Sequence, residues 1–167
     1  MGNIQTFYQN AKANDFARDF QFRIVALGPF SESDLVYLTT ATLPGKSISN
    51  QPVPYMGLEF NIPGSVKYDG SAAWQVVFRC DEGLNIHTKM ENWIKTIFDD
   101  QTSTGNYNTP REISSMDLLD KDFNATRRYN FIGMYPVTLG VINYDIKGTG
   151  TPLEFPCTFA YQYYRLV

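Results

Sequence analysis

Hydrophobic and polar residues alternate along much of the chain, and the pattern is clearest just before its middle. Between Ala73 and Asp81 the alternation has a period of two residues, which is typical of a half-buried strand. Its apolar face carries Trp74, Val76, Phe78 and Cys80. The apolar positions then change to helical spacing and form one stripe: Ile86, Met90, Trp93, Ile94, Ile97 and Phe98. We therefore predict a strand that leads into an amphipathic helix, with Asn85 as the helix N-cap.

Most of the remaining chain also has the pattern of strands. The predicted strands are Phe20–Leu27, Asp34–Leu43, Ile113–Leu119, Ala125–Tyr135, a bent stretch over 133–140, and a hairpin of Val141–Ile146 with Leu153–Leu166. In the last strand one face carries Phe155, Cys157, Phe159, Tyr161 and Tyr163. Sequential short strands at this spacing predict an antiparallel β-sandwich or barrel with one amphipathic helix packed on it. The length of 167 residues predicts a single domain over 1–167.

Three segments do not fit this pattern. Residues 1–19 are polar and predict an N-terminal arm or a short helix, and residues 99–112 predict a surface loop. Residues 44–62 contain three prolines and are followed directly by a fourth, Pro63, and these prolines disfavour a central strand and favour an extended hairpin or loop. The last segment is nevertheless apolar, so we expect it to contact a partner through Val53, Pro54, Tyr55, Met56, Leu58 and Phe60. A hairpin that folds back on its own core remains the alternative.

Composition narrows the range of functions. Charged residues make up 19% of the chain and the net charge is −3, so the basic surface of a nucleic-acid-binding protein is missing. No apolar run approaches the roughly 20 residues that span a bilayer, and the first residues do not have the pattern of a signal peptide. We expect a protein made in the cytoplasm, without a membrane segment.

The residues that could support catalysis or metal binding are few. The single histidine, His87, lies on the predicted polar face of the helix, and no motif pairs it with Cys80 or Cys157. Both cysteines are expected to be reduced thiols in the core. The stretch 120–124 begins like a calcium loop but then has Ala125 and Phe131 where glycine and glutamate are required, so we predict a hairpin turn. We expect no enzyme activity, no cofactor and no metal.

Several segments, in order along the chain, resemble the tail tube proteins of contractile-tailed bacteriophages. The segments are Asn14–Arg18, Phe20–Ile24, Thr40–Gly45, Val53-Pro54 with Gly57, Trp74–Val76 with Asp81-Glu82, Gly133–Pro136 with Gly140, and Phe155–Tyr163. The resemblance extends from about residue 14 to residue 164, and the polar stretch 99–111 departs from it.

The resemblance implies a phage tail tube fold and the function of a structural virion protein, the major tail tube subunit. Such subunits form hexameric rings that stack into a tube, and sheets of neighbouring subunits join around a channel for genome ejection. The implied partners are the protein itself, the tail sheath protein, the tape-measure protein, the baseplate tube-initiator, the tail terminator, and viral DNA that passes without specific binding. The implied location is the virion tail, assembled in the host bacterial cytoplasm.

The resemblance also suggests roles for particular surfaces. We expect residues 53–60 to contact the next ring. The polar strand residues Gln75, Arg79, Thr158 and Gln162 are candidates to face the channel, and His87, Glu91 and Lys95 on the helix are candidates to face the sheath or a neighbouring subunit.

Three other functions remain open at this point. Two keep the fold: a baseplate tube-initiator, and the tube of a DNA-free contractile injection particle. The third is a small ligand-binding β-barrel, which requires an apolar cavity. The bulky side chains Trp74, Phe78, Phe155, Phe159 and Tyr161 instead predict a filled interior.

Overall fold

The structure is a computed structural model that describes residues 3–68, 74–106 and 113–167. The helices in this part of the chain are α1 (Ile4–Ala13), α2 (Glu32–Leu35) and α3 (Asn85–Ile97). The strands there are β1 (Phe22–Ala26), β2 (Leu38–Ala41), β3 (Lys46–Tyr55), β4 (Leu58–Tyr68), β5 (Trp74–Arg79), β6 (Phe98–Asp99), β7 (Thr104–Gly105), β8 (Ile113–Leu119), β9 (Ala125–Ile132), β10 (Tyr135–Leu139), β11 (Glu154–Ala160) and β12 (Tyr163–Leu166).

Two antiparallel four-stranded sheets form the body of the protein. Sheet I has the strand order β1–β8–β9–β12, and sheet II has the order β10–β11–β5–β2. Strands β3 and β4 form a separate two-stranded hairpin, and β6 with β7 forms a very short one. The mainly β, antiparallel architecture predicted from the sequence is therefore confirmed.

The core lies against the inner face of sheet II. Trp74, Phe78, Phe155 and Phe159 are completely buried there, and their neighbours along each strand point to the opposite, outer face. Phe131 of sheet I packs on Trp74 with ring centroids 5.2 Å apart. The alternation that predicted strand β5 thus separates its buried residues from its exposed ones.

Helix α3 covers another part of the same inner face. Ile86, Met90 and Trp93 are buried, and the Trp93 ring lies 5.6 Å from that of Phe159. Gly28 lies directly beneath Trp93, where a Cβ atom would overlap the indole ring, so glycine is required for this contact. The helix and sheet I therefore lie on the same side of sheet II.

The predicted ends of the central helix need two corrections. Leu84, with a φ of 51°, occupies the N-cap position, and Asn85 is already helical. The Asp81 carboxylate takes the role predicted for Asn85, because it accepts hydrogen bonds from the Asn85 backbone N–H (2.8 Å) and side-chain Nδ2 (2.6 Å). At the other end, Phe98 lies outside the helix and is exposed, and Ile97 is only half-buried.

The predicted strand Asp34–Leu43 is wrong in its first half, which forms α2. The Asp34 carboxylate accepts hydrogen bonds from the backbone N–H (3.0 Å) and hydroxyl (2.8 Å) of Ser31, and this interaction begins the helix. Lys89 of α3 contributes an ion pair of 2.6 Å to the same carboxylate. The prediction of one helix in a β protein therefore missed α2, while α1 agrees with the short helix or arm predicted for residues 1–19.

Two other strand predictions also need correction. Residues 141–146 form no strand; after Gly140 donates to the Pro156 carbonyl, the chain leaves sheet II and turns at 145–148. The predicted strand Leu153–Leu166 divides at Tyr161-Gln162 into β11 of sheet II and β12 of sheet I. In β11 the odd-numbered residues face the core, but after the break the even-numbered ones do. Tyr164 rather than Tyr163 therefore packs against the core.

Three further boundaries differ from the sequence prediction. Ala125–Tyr135 divides at Gly133, which has a φ of 69°, into β9 and β10. The predicted surface loop begins with the short β6–β7 hairpin, and its residues 107–112 lie outside the described residues, as does Ala73. The hairpin turn predicted at 120–124 is present, and the Asp120 carboxylate accepts hydrogen bonds there from the backbone of Asp122 (2.8 Å) and Asn124 (2.9 Å).

One buried carboxylate connects the strands of sheet I. The Asp117 side chain is fully buried and accepts two hydrogen bonds from Arg128, of 2.6 and 2.9 Å. Arg23 of β1 contributes a longer contact of 3.3 Å. The hydrogen bonds from Arg128, joined by that from Arg23, outweigh the effect of burial and lower the pKa of Asp117 below its ordinary value of 3.8.

We expect Arg128→Met to destabilise the folded protein by about 3 kcal/mol, because it leaves the Asp117 charge buried with one weak partner. Arg23→Met is the matched control and should cost about 1 kcal/mol, since the two hydrogen bonds from Arg128 remain. Urea unfolding of both variants measures the difference. Equal losses would show that the Arg128 contact has no special role.

The same carboxylate predicts a dependence of stability on pH. Because the pKa of Asp117 is lowered in the folded state, its carboxylate stabilises the folded protein above pH 3.8. This contribution is lost as the pH falls through the folded-state pKa. We expect the free energy of unfolding to decrease below about pH 4, and to decrease less in Asp117→Asn. Urea unfolding between pH 2 and 6 tests this, and the same slope in both proteins would contradict it.

Candidate functional site

The hairpin of β3 and β4 carries a contiguous group of exposed apolar side chains. Its strands are joined by the two-residue turn Met56-Gly57, and both residues have positive φ angles, of 46° and 81°. This geometry matches the twist of antiparallel strands, which favours a tight hairpin. The segment predicted over 44–62 as an extended hairpin or loop is therefore a hairpin, and it continues to Tyr68.

The tip of the hairpin has one apolar face. Directly opposite residues of paired antiparallel strands lie on the same side, so the pairs Val53–Phe60, Tyr55–Leu58 and Gln51–Ile62 share a face. Its apolar side chains remain between 42% and 64% exposed: Val53, Tyr55, Leu58, Phe60 and Ile62. We call these five residues the apolar hairpin face. They do not fold back on the core, which was the alternative left open by the sequence.

Prolines limit how the hairpin can associate. The pair Tyr55–Leu58 closes the turn, so Pro54–Glu59 and Pro52–Asn61 are non-hydrogen-bonded pairs in the alternating antiparallel ladder. At such positions the backbone N–H points away from the partner strand. Because proline has no N–H, Pro52 and Pro54 remove donors from the free edge of β3. Association through the faces of the hairpin is therefore favoured over strand addition at this edge.

The base of the hairpin is attached to the body. Tyr68 packs edge-on against Tyr164 of β12, with ring centroids 5.2 Å apart. Lys46, paired with Tyr68, places its ammonium group 5.8 Å from the centre of the same Tyr164 ring. Between base and tip, β4 contains one extra residue near Gly64, so the exposed Ile48–Val66 pair lies on the opposite side from the apolar hairpin face.

The predicted ring-contact residues therefore lie in three places. Val53, Tyr55, Leu58 and Phe60 belong to the apolar hairpin face, Met56 forms the turn, and Pro54 lies on the opposite side. Ile62, which the sequence places two residues after Phe60 in the same apolar segment, lies on the apolar hairpin face as well.

The predicted channel residues are only partly brought together. Gln75 and Thr158 are directly opposite each other on the outer face of sheet II, and Arg79 lies on the same face, 3.6 Å from Glu154. Gln162 lies elsewhere, between β11 and β12, where its backbone N–H donates to the Ile132 carbonyl. The reason is the chain's change of sheet after Ala160, which strand alternation alone does not reveal.

The predicted polar face of α3 is less uniform than its sequence pattern suggests. Glu91 and Lys95 are exposed, and Lys95 donates to the Gln101 side chain at 3.3 Å. The His87 side chain is only 21% exposed, because its ring packs edge-on against Phe155 at 5.4 Å. His87 is thus partly a packing residue, and its Nδ1 lies 3.7 Å from the Glu91 carboxylate.

The two cysteine side chains are free thiols in or beside a strand of sheet II. Cys80 and Cys157 are both free, and burial raises the pKa of the Cys157 thiol to about 12, so it stays protonated. Cys80 is only half-buried, just beyond the end of β5.

Within residues 3–68, 74–106 and 113–167, no three His, Cys, Asp or Glu side chains form a group that could hold a metal ion. No helix in those residues is both long and apolar enough to cross a membrane.

A surface groove lies between the edge strands β1 and β2 of the two sheets. Its volume is about 960 Å³, and it is bordered by Phe22 and Ile24 of β1 and by Leu38 and Thr40 of β2. Helix α1 exposes Ile4, Phe7 and Tyr8 and buries none of its residues. The groove opens between strand edges, whereas a ligand-binding barrel requires a cavity enclosed within the sheets.

A sandwich with a filled core and a contiguous exposed apolar hairpin has the features of a protein that associates with others through its surface. Solved structures have the same fold. A chain from the tube-terminating cap of the anti-feeding prophage superimposes with a TM-score of 0.66 at 15% identity, covering 93% of this chain and 96% of that chain. A chain from the sheath/tube terminator of an extracellular contractile injection system (PVC) gives 0.67 at 13% identity, covering 92% and 98%.

A third similar chain comes from the extended sheath-tube complex of the PVC system, with a TM-score of 0.65, 12% identity, and coverage of 95% and 96%. A search of curated protein sequences gives no match. The family model described as phage tail tube protein matches residues 11–167, so the chain belongs to the phage tail tube protein family. These relatives are structural tail components, and the resemblance seen in the sequence is confirmed.

The hairpin turn allows a local test. Gly57→Ala should open the hairpin, because alanine disfavours positive φ by about 1 kcal/mol, although a Cβ atom there would contact no other residue. Met56→Asn should have the opposite effect, since asparagine suits the first position of this turn. We expect faster amide hydrogen exchange in β3 and β4 for the first variant and slower exchange for the second, with unchanged global stability. The same exchange rate in both variants would contradict this view of the turn.

Proposed function

We propose that this protein is the major tail tube subunit of a contractile tail, and that it forms hexameric rings that stack around a channel for genome ejection. The observation that carries the proposal is the apolar hairpin face, which projects from the body and remains uncovered in a member of the tail tube family. A two-stranded hairpin alone is marginally stable in water, so an apolar one of this length gains most from a partner.

Ring stacking is the association that suits this hairpin. A contact between two different surfaces of identical subunits repeats without closing, and it therefore extends into a filament. Family membership makes that filament a tube. In this proposal, Val53, Tyr55, Leu58 and Phe60 contact the next ring, together with Met56 at the tip. Pro54, on the other side of the hairpin, shapes the edge of β3 rather than filling the contact.

The outer face of sheet II is the proposed channel wall. Its edge strands, β10 and β2, have free edges that can pair with the sheets of ring neighbours and close a barrel. The wall then presents Gln75 as a neutral polar group beside the half-buried Thr158, whose hydroxyl oxygen is itself buried, and Arg79 is neutralised by Glu154. A wall without excess positive charge lets DNA slide, because it does not collect phosphates. Gln162 is not part of this wall.

Helix α3 faces outward in this arrangement, because it packs on the side of sheet II opposite to the proposed channel. Its exposed residues Glu91 and Lys95 are then available to the sheath protein or to a neighbouring subunit, whereas His87 contributes less surface. The other proposed partners are the tape-measure protein inside the channel, the baseplate tube-initiator and the tail terminator at the two ends, and transient viral DNA. The proposed location is the virion tail, after assembly in the host bacterial cytoplasm.

A terminal tube component is the second candidate, and one observation favours it. The similar structures include a tube-terminating cap and a sheath/tube terminator, with TM-scores as high as that of the sheath-tube chain. A similar chain also comes from the anti-feeding prophage baseplate, which keeps a tube-initiator possible. A terminal component forms rings that do not propagate, whereas a tube subunit polymerises. The tube of a DNA-free injection particle differs from a phage tail tube only in its cargo.

Negative-stain microscopy of the purified protein tests the proposal. We expect hollow six-fold tubes for the native protein, and folded single rings when Val53–Ile62 is deleted or when Tyr55→Ser is combined with Leu58→Ser. The physical reason is the loss of apolar area at the stacking contact. Asn61→Ser, on the other side of the same hairpin, is the matched control and should leave the tubes intact.

The outcomes separate the candidates. Single rings of native protein that never lengthen would favour a terminal component. A native protein that stays monomeric at every concentration would overturn both candidates. Long tubes of the Tyr55→Ser, Leu58→Ser variant would remove the hairpin from the stacking contact and leave the tube assignment itself intact.

A further inference from the structure

The two ends of sheet II carry different exposed features. The chain leaves β2 and enters β5 beside Trp74 and Phe159, and the apolar hairpin is inserted there; we call this the hairpin end. At the opposite end Arg79 pairs with Glu154, and the connection from β10 to β11 begins at Gly140 and continues to Leu153. We call this the loop end. The hairpin and the loop therefore mark opposite ends of the same strands.

The loop end has its own uncovered apolar side chains. Within the 140–153 connection, Val141 is 73% exposed, Tyr144 is 69% exposed and Ile146 is fully exposed. The turn that presents Ile146 is held by the Asp145 carboxylate, which accepts the Lys147 backbone N–H at 2.9 Å. Ile142, in the same connection, packs against the core and so anchors the connection to the sheets. An apolar side chain on an anchored turn is a surface that another molecule can cover.

The charges at the two ends are complementary. At the base of the hairpin, Lys46 and Lys67 are both exposed on adjacent strands, while the acidic residue of β3 and β4, Glu59, lies away from them beside the turn. At the loop end the chain carries Asp81 and the exposed Glu82 directly after β5, together with Glu154 and Asp145. Arg79 and Lys147 offset only part of this negative charge. Opposite charge at opposite ends favours head-to-tail contact and disfavours contact between like ends.

We propose that the loop end is the acceptor for the apolar hairpin face of the copy in the next ring, with Tyr144 and Ile146 as its apolar centre. The inference rests on the proposed function and names the second surface of its stacking contact. A translation along the strands of sheet II brings the hairpin end of one copy to the loop end of the next. Lys46 and Lys67 then approach the acidic residues Asp81 and Glu82.

The test combines two variants that each lose one surface. Rings of the donor variant (Tyr55→Ser, Leu58→Ser) keep a native loop end, and rings of the acceptor variant (Tyr144→Ser, Ile146→Ser) keep a native hairpin. Each variant alone should form single rings, with the fraction of stacked rings reduced at least about tenfold. Rings prepared separately and then mixed should form stacks of two rings that grow no further, because only one productive contact exists between them.

A third variant controls for the loss of any exposed apolar group. Ile113→Thr in sheet I changes a side chain that is 53% exposed and lies outside both surfaces, and its tubes should be as long as those of the native protein. Melting curves of all variants should match the native curve, since the substituted side chains are exposed.

Two results would overturn the inference while the proposed function stands. One is an acceptor variant that forms tubes of native length. The other is a mixture of donor and acceptor rings that stays as single rings, which would place the acceptor elsewhere. Failure of the native protein to form rings would instead overturn the proposed function and this inference with it.

Discussion

The structure depends on the burial of one face of sheet II. Trp74, Phe78, Phe155 and Phe159 fill that face, and both sheet I and helix α3 are held in place by packing on them. Since strand side chains alternate, burying these residues turns Gln75, Arg79 and Glu154, together with Val77 and Pro156, to the opposite face. One constraint thus gives the fold its core, places helix α3 on the buried side of sheet II and leaves the other side of the sheet open, so that a single sheet can be both scaffold and surface.

The remaining apolar residues are distributed in a way that core formation does not explain. Tyr55, Leu58 and Ile146 are as hydrophobic as many core residues, yet they lie on a hairpin and a turn where nothing in the described chain covers them. Their positions are also well ordered by local chemistry: the Met56-Gly57 turn fixes the hairpin, and Asp145 fixes the loop. Apolar side chains that are held in a fixed position and yet remain exposed are characteristic of a surface that binds a partner, because pre-organisation lowers the entropic cost of association.

Strand β5 and the apolar stripe of α3 were predictable because their residues repeat with one period throughout. The predictions failed where a long-range contact decided the structure. Asp34 begins α2 through a local capping box with Ser31, and its long-range ion pair with Lys89 of α3 holds this turn in place, although its surroundings have a strand pattern. Residues 141–146 alternate like a strand but pair with no strand of the described residues, and Gln162 lies off the predicted strand face because the chain changes sheets at Tyr161-Gln162. Periodicity predicts which residues can be buried, but it does not predict which strands pair.

A long exposed hairpin carries a risk of uncontrolled strand addition at its edge. The free edge of β3 is where uncontrolled strand addition would begin, and Pro52 and Pro54 remove its outward donors. Association at the hairpin is thereby directed to its faces, where side-chain shape selects the partner, rather than to its backbone, which would accept almost any strand. The prolines that predicted an extended hairpin or loop in the sequence therefore also explain how this long, apolar, exposed hairpin can leave its β3 edge without outward donors.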